Sequence, residues 1–455
     1  MSDQPVNVRN VSWADLCPWT IIFRTLSPAS SITVLALALV GVLAASFTWW
    51  LSENIFIASD SPLRENAAFV DVVGKNTSPF RGVFADAASD ANSLQLLGAK
   101  ISGPRAVFNR ISEPFGFMFR NQIPSLEPTG AKQTLGTAGF LYFLFGSACS
   151  LAIWGFFGLA IARVSLLRIT RNETIGIDDA VDYACDHWLA SVGGLGAPIG
   201  AVFAMCIPMF LLGLLMTFDL GAALVGILWI VVLAGGTIMA LLLLGLTFAW
   251  PLIVSSVGCE GQNAFDAMTR AYAYVFQRPL HYLLYAVVAM LFGGFCWMIV
   301  AWLSGAAIEL GYWGTSWGAN RAGGEVPRIE VIQGLSSQVQ TVVDESGAKV
   351  LSEEHSSTLG YAQSFIGFWN GLIRTVAVAF LYGLFWCMAS SIYLLLRKDV
   401  DDTEMDEIFI VDERRTYELP PLKSDEQGIP QVQKPTPVDE NSDDKAEETE
   451  EDGES

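Results

Sequence analysis

The sequence predicts an all-α integral membrane protein: about six transmembrane helices, two inner interfacial amphipathic helices, two large outer loops and a disordered acidic C-terminal tail. Three observations lead there. Of 455 residues, 52% are apolar and 16% charged, and the mean hydropathy is +0.43, which excludes both a disordered chain and an ordinary soluble domain. The formal charge of -20 is concentrated: residues 399–455 hold 21 acidic and 5 basic side chains, a net of -16, which leaves -4 for the first 398 residues. Finally, six stretches carry no charge in their middles and reach the roughly 20 helical residues needed to cross about 30 Å of hydrocarbon.

Residues 1–31 read as a cytoplasmic N-terminal segment, with Trp13, Trp19, Ile21, Ile22 and Phe23 suited to lie on the inner surface. A leader of 31 residues before an apolar core of about 20 fits a retained signal anchor better than a cleaved signal peptide. The spans follow at 32–51, 138–162, 197–218, 221–258, 280–304 and 375–396. A central Asp, Lys or Arg costs about 2.5–3.5 kcal/mol on insertion, so charge-free middles are the expected signature. The fourth stretch is too long for one straight crossing, because 40 helical residues reach about 60 Å. Gly235, Gly236 and Pro251 mark it as kinked or re-entrant, with one net crossing favoured over two.

Orientation comes from Lys and Arg near the span ends. Arg24, Arg163, Arg168, Arg171, Arg270, Arg278, Arg397 and Lys398 fall on one side, against Arg64 and Lys132 on the other, with Arg374 at the border. Both termini are therefore expected in the cytoplasm of a cell whose inner membrane holds the chain. The outer loops are 52–137 and 305–371 and contain no cysteine; all seven cysteines fall in spans or on the inner side, so no disulfide is expected. Within the first outer loop, Pro104 to Phe119 places Val107, Phe108, Ile111, Phe115 and Met118 at helical spacing. That segment is suited to pack on the outer leaflet or under the second loop, with Pro114 interrupting it.

The inner loops, 163–196 and 259–279, each contain an amphipathic stretch. In the first, Val181, Cys185, Trp188, Leu189 and Val192 share a face, and Asp178, Asp179, Asp182 and Asp186 lie elsewhere. In the second, Phe265, Met268, Tyr272, Val275 and Phe276 share a face, while Asp266 and Arg270 stand four apart as a surface ion pair or interfacial anchor. Trp188, Phe265, Met268, Arg270, Tyr272 and Phe276 are the candidate interfacial anchors, and the lipid bilayer is their partner. Span, inner helix, span thus occurs twice, as internal duplication or chance similarity of hairpins.

The segments Phe156 to Arg163, Ala197-Pro198, Phe265 to Tyr272, Gln277-Arg278-Pro279, Tyr393 to Arg397 and Thr403 to Glu407 carry a resemblance. Over residues 140–410 the chain resembles a family of uncharacterised polytopic membrane proteins of planctomycete-type bacteria. The inner-helix pattern is distantly similar to the membrane domain of some glycerophosphodiesterases, without that enzyme's catalytic domain. The resemblance implies a shared membrane fold and no catalytic residue. It draws attention to Glu260 and Glu404, which otherwise read as cap or surface residues.

Chemistry-bearing motifs are absent from the sequence. His187, His281 and His355 lie on three separate segments, and there is no His-Glu-x-x-His, Walker loop, nucleophile elbow or dinucleotide fingerprint. No enzyme activity, metal or cofactor is expected, and a net charge of -20 disfavours a nucleic-acid partner. Near-absence of ionisable residues in the spans disfavours a proton-coupled carrier. Glycine and alanine pairs such as Gly158 with Ala162 and Gly196 with Gly200 suit close packing within a bundle or a homo-oligomer. The tail, 397–455, is expected to be disordered, with Ile408, Phe409, Ile410 and Val411 as a candidate partner-docking patch and Asp439 to Glu454 favouring a basic cytoplasmic protein. The expected role is a non-enzymatic scaffold or accessory subunit; the alternative is a permease or channel-like protein for a small or lipidic molecule.

Overall fold

A computed structural model describes residues 17–57, 103–122, 136–319, 342–343, 349–350, 357–405 and 407–408. The chain divides into two units, Met1–Ile408 and Phe409–Ser455, and every described residue belongs to the first. Among the described residues the architecture is helical, apart from a two-residue antiparallel pairing of Val342–Val343 with Lys349–Val350. Six helices are long and apolar enough to cross a membrane, which makes this a multi-pass membrane chain.

A 3-10 segment, Pro18–Thr25, runs into a single helical turn, Leu26–Ala29. Then come α1 (Ile32–Phe56), α2 (Gly103–Gln122), α3 (Gly136–Thr170), α4 (Ile177–Leu215), α5 (Asp219–Ile227), α6 (Trp229–Glu260), α7 (Ala264–Gln277), α8 (Pro279–Ala319) and α9 (Ser357–Asp401). Ser31 caps α1, its hydroxyl accepting the Val34 N–H at 3.3 Å, which satisfies one of the orphan donors of the first turn. At the start of α4, Asp178 and Asp179 lie in the first turn and the Asp179 carboxylate accepts the Gly176 N–H at 3.3 Å. These carboxylates sit where the helix dipole favours negative charge.

The core is organised around α9, whose most apolar stretch is buried throughout. A helix apolar on all faces needs neighbours on all faces, and α9 touches α1, α2, α3, α6, α7 and α8. Small residues let those neighbours approach. A Cβ on Gly158 would lie 2.5 Å from the Trp386 indole, and one on Gly383 would lie 2.8 Å from Val34. Trp154 stacks on Tyr382 with centroids 4.5 Å apart, and Trp250 stacks on Phe385 at 5.5 Å with Trp386 edge-on to it. Offset and edge-to-face rings of this kind contribute beyond simple contact area.

Two expectations change in the structure, and a third stretch is drawn more finely. The first amphipathic stretch is no separate inner helix: Ile177 to Leu215 is one helix, carried through Pro198 by the burial of Leu195, Pro198 and Val202. The face it buries is Ala180, Tyr183, Ala184, Ser191 and Leu195 rather than the one expected, on which Cys185, Trp188 and Leu189 are exposed. The Trp188 indole N–H still donates to the Ala152 carbonyl of α3 at 3.0 Å, and Val192 packs on Gly155. The second stretch does form its own helix, α7, because Arg278 precedes Pro279 and a residue before proline is pushed out of helical geometry. The two hairpins are therefore built differently. The long fourth stretch breaks at Leu228 into α5 and α6, and its first half, like the end of α4, has few neighbours. Finally, Pro104 to Phe119 belongs to one continuous helix, α2, with Pro114 inside it. That helix wedges between α3, α8 and α9, burying Val107 and Ile111, setting Phe108 5.5 Å from Trp250 and lodging Pro104 against Gly293.

Candidate functional site

The densest polar constellation among the described residues lies where α6 ends and α7 begins. Helix α6 stops at Glu260 because Gly261 takes a left-handed conformation, φ 62°, and returns its N–H to the Val257 carbonyl at 2.9 Å. A side chain is strained there, so Gly261→Ala is expected to cost about 1 kcal/mol, read as a lowered melting temperature of the detergent-solubilised protein. Side chains from two other helices also donate to carbonyls of this last turn. Tyr183 Oη of α4 donates to the Val257 carbonyl at 2.7 Å, and Arg163 Nη1 of α3 donates to the Gly258 carbonyl at 3.2 Å. Arg163 also lies 4.4 Å above the Tyr183 ring, on which His187 stacks at 4.3 Å. Cations at a helix C-terminus are favourable for both the dipole and the orphan carbonyls.

Glu260 reverses that logic, placing a carboxylate at the negative end of a helix, and it persists because two guanidinium groups offset it. Arg270 of α7 donates to Oε2, and Arg397 Nε of α9 lies 3.0 Å from Oε1. Tyr393 Oη donates to Oε1 at 2.9 Å, and the Gln262 amide donates to Oε2. Ser256 Oγ completes the ring, with Tyr393 Oη at 3.2 Å and Gln262 Oε1 at 3.1 Å. The Glu260 and Arg397 side chains are 13% and 9% exposed, so this is a largely desolvated ion pair; Oε1 accepts from Tyr393 and Oε2 from Arg270 and Gln262, while Arg397 Nε stands in ion-pair range without a hydrogen bond. Such pairs fix geometry more than they add net stability.

The end of α9 is clamped by the same elements. Tyr274 of α7 donates to Asp401, Tyr285 Oη of α8 donates to Asp399 Oδ2 at 2.8 Å, and Arg270 lies 3.9 Å from Asp401. Burial raises the Tyr274 pKa above the ordinary tyrosine value, and the hydrogen bond to Asp401 and that carboxylate's charge raise it further. Burial works against the Arg270 charge, but Glu260, Tyr393, Tyr274 and Asp401 outweigh it and raise its pKa. Both groups therefore keep their protons across the physiological range. Past the helix, Arg397 Nη1 donates to the Glu407 carbonyl at 2.6 Å and Ile408 is buried in the core. The constellation thus joins α6, α7, α8 and α9 and pins the chain just beyond α9.

The expected site residues meet different fates. Arg270 does not pair with Asp266; it turns to Glu260, because a buried carboxylate at the end of α6 is a stronger partner than a solvated one four residues away. Tyr272 is held by its hydroxyl, which donates to the Leu242 carbonyl at 2.8 Å, with its ring against Gly245. Met268 packs on the core. Phe265 and Phe276 are exposed, as is Trp188 at its edge. The buried face of α7 is Ala267, Ala271, Tyr274 and Val275, turned from the face expected. Ile408 is buried against its own chain; Phe409, Ile410 and Val411 lie outside the described residues.

Glu260 itself was legible only as a cap or surface residue. The signal that would have raised it is the pairing of Tyr393 with Arg397, four apart at the end of the last span and so on one helix face, opposite a lone acid at the end of another. Among the described residues, no group of three or more His, Cys, Asp or Glu side chains is placed to hold a metal ion, and all seven cysteines are free. The chain matches no protein-family model, no curated protein and no solved structure.

Proposed function

We propose that this chain is a non-enzymatic scaffold or accessory subunit of a bacterial inner membrane, with both termini in the cytoplasm, recruiting partners through its acidic tail and its outer loops. The observation that carries the reading is the fixed root of that tail. Arg397 holds the Glu407 carbonyl and Ile408 is buried, so the chain is fixed to the bundle up to the last described residue before the tail. A tether fixed at one end keeps its binding segment within the reach of the chain and raises its effective concentration there. The tail's net negative charge favours a basic cytoplasmic protein. The polar groups at the Glu260 end are spent on one another, which suits a structural mount better than a reacting centre. The planctomycete-type family resemblance and an association between copies of the chain belong to the same proposal.

Truncation after Ile408 tests it, since the Glu260 constellation stays whole. Loss of salt-sensitive co-purifying proteins at an unchanged melting temperature is expected. Unchanged partners, together with solute flux in vesicles reconstituted with the truncated chain, would overturn it. The permease reading is favoured by one observation, Arg110 carried by α2 in among the spans.

A further inference from the structure

Where α4 packs against α6, four sulfur side chains gather at one contact. Cys206 Sγ of α4 lies 3.9 Å from Met239 Sδ of α6. A Cβ on Gly235 would meet the Met209 Cε methyl at 2.6 Å and the Met205 methyl at 3.9 Å, so the missing side chain is what lets both α4 thioethers lie on α6. Met205 with Met209, and Gly235 with Met239, are each four apart and share a helix face, and Cys206 stands three before Met209. No Asp, Glu or His occurs in α4 after His187 or in α6 before Glu260. Sulfur is therefore the metal-ligating atom that these two stretches offer. Glu260 itself is 21 residues from Met239, roughly 30 Å of helix.

We propose that Cys206, Met239 and a thioether from Met205 or Met209 form a binding site for a soft monovalent metal ion, copper(I). Thiolate and thioether ligands select copper(I) over the hard and borderline divalent ions. With metal–sulfur bonds of about 2.3 Å, two sulfurs 3.9 Å apart subtend about 116° at the ion, the angle of a trigonal site. Methionine has three rotatable bonds, so either α4 thioether can swing from Gly235 to the third position. Charge points the same way. One thiolate balances one positive charge and thioethers balance none, so copper(I) is neutral here. A divalent ion would leave a net charge inside helices apolar enough to cross the membrane, where charge is costly. Binding exchanges the thiol proton for the metal: copper(I) and the Cys206 thiol give a copper thiolate and a released proton, with no change of oxidation state. This site is separate from the Glu260 constellation and from the tail, so its success or failure leaves the scaffold reading as it stands.

The full-length protein, purified in a non-ionic detergent and titrated anaerobically with copper(I) against a chromophoric copper(I) chelator, tests the proposal. The wild type should hold copper(I) against the chelator, and X-ray absorption at the copper edge should show a shell of sulfur alone. Met239→Leu, and Met205→Leu combined with Met209→Leu, keep all seven cysteines and nearly the same side-chain volume, so both should fold. Each should weaken copper(I) retention at least about tenfold, the scale on which even the outer partners of a metal matter. Cys206→Ser should weaken it further and remove the proton released on binding. Excess zinc(II) should displace none of the copper. Retention unchanged in both methionine variants would mean that thiols bind without the thioethers and would overturn the proposal. So would a wild type that yields all its copper to the chelator, or displacement by zinc(II).

Discussion

Glu260→Leu is expected to loosen the end of the bundle at a cost of about 3–5 kcal/mol, the range for removing one member of a buried ion pair. The loss is large because it strands the others. Arg397, 9% exposed, would keep its charge with no carboxylate beside it, and Tyr393 and Gln262 would lose an acceptor. Glu260→Gln keeps the shape and one acceptor oxygen but removes the charge and turns an N–H2 toward a site where only the Tyr393 hydroxyl can accept and the guanidinium groups cannot, so an intermediate loss is expected. Arg270 is 38% exposed and can reach water. Solvent screening limits its share, and Arg270→Met is expected to cost less than about 1 kcal/mol. Melting curves in one detergent, for the single variants and for Glu260→Leu with Arg397→Leu, would give the coupling directly. The double variant should recover part of the loss, because two apolar side chains replace a pair whose desolvation is expensive. Equal losses at Arg270 and Arg397 would refute the burial-based ranking.

Trp386→Ala is the second large effect, at about 3–5 kcal/mol for a fully buried tryptophan. Trp386 is 1% exposed and is gripped by Gly158, Trp250 and Phe385. In lipid the gain is not removal of surface from water, since acyl chains are as apolar as the side chain. It is the sum of many close van der Waals contacts, which a cavity forfeits. The indole N–H has no partner, so Trp386→Phe removes an unsatisfied donor along with some volume and should cost less than half as much. From the other side, Gly158→Ala puts a methyl 2.5 Å from the indole, an overpacking worth about 1–3 kcal/mol. Combined with Trp386→Phe that penalty should shrink, and a strictly additive pair would mean that the two residues are not in contact.

How the spans were read and how the polar cluster was missed have one cause. An apolar run announces itself because membrane insertion is decided locally, residue by residue, along some 20 positions. The ends of α1, α6 and α7 could be anticipated from Ser31, Gly261 and Pro279, since capping and pre-proline sterics act over a few bonds. Glu260, Arg270 and Arg397 are spread over 138 positions of sequence, and no local signal says that three helices bring them to one carboxylate. The same holds for α2, whose mixed composition suited a surface helix. Its place between α3, α8 and α9 depends on the notch that Gly293 leaves for Pro104.

The sequence by itself determined that this is a multi-pass helical membrane chain with its excess negative charge near the C-terminus, because hydrophobic length and charge placement are properties of short segments. Tertiary structure alone decided which charges meet, that α4 is one helix across Pro198, that α9 is the pillar, and that α2 enters the bundle to place Arg110 beside Tyr382. Those outcomes rest on shape: which glycine admits which ring, and which buried carboxylate finds enough donors. Close packing and desolvation act between residues far apart in sequence, so they appear only when the helices are assembled.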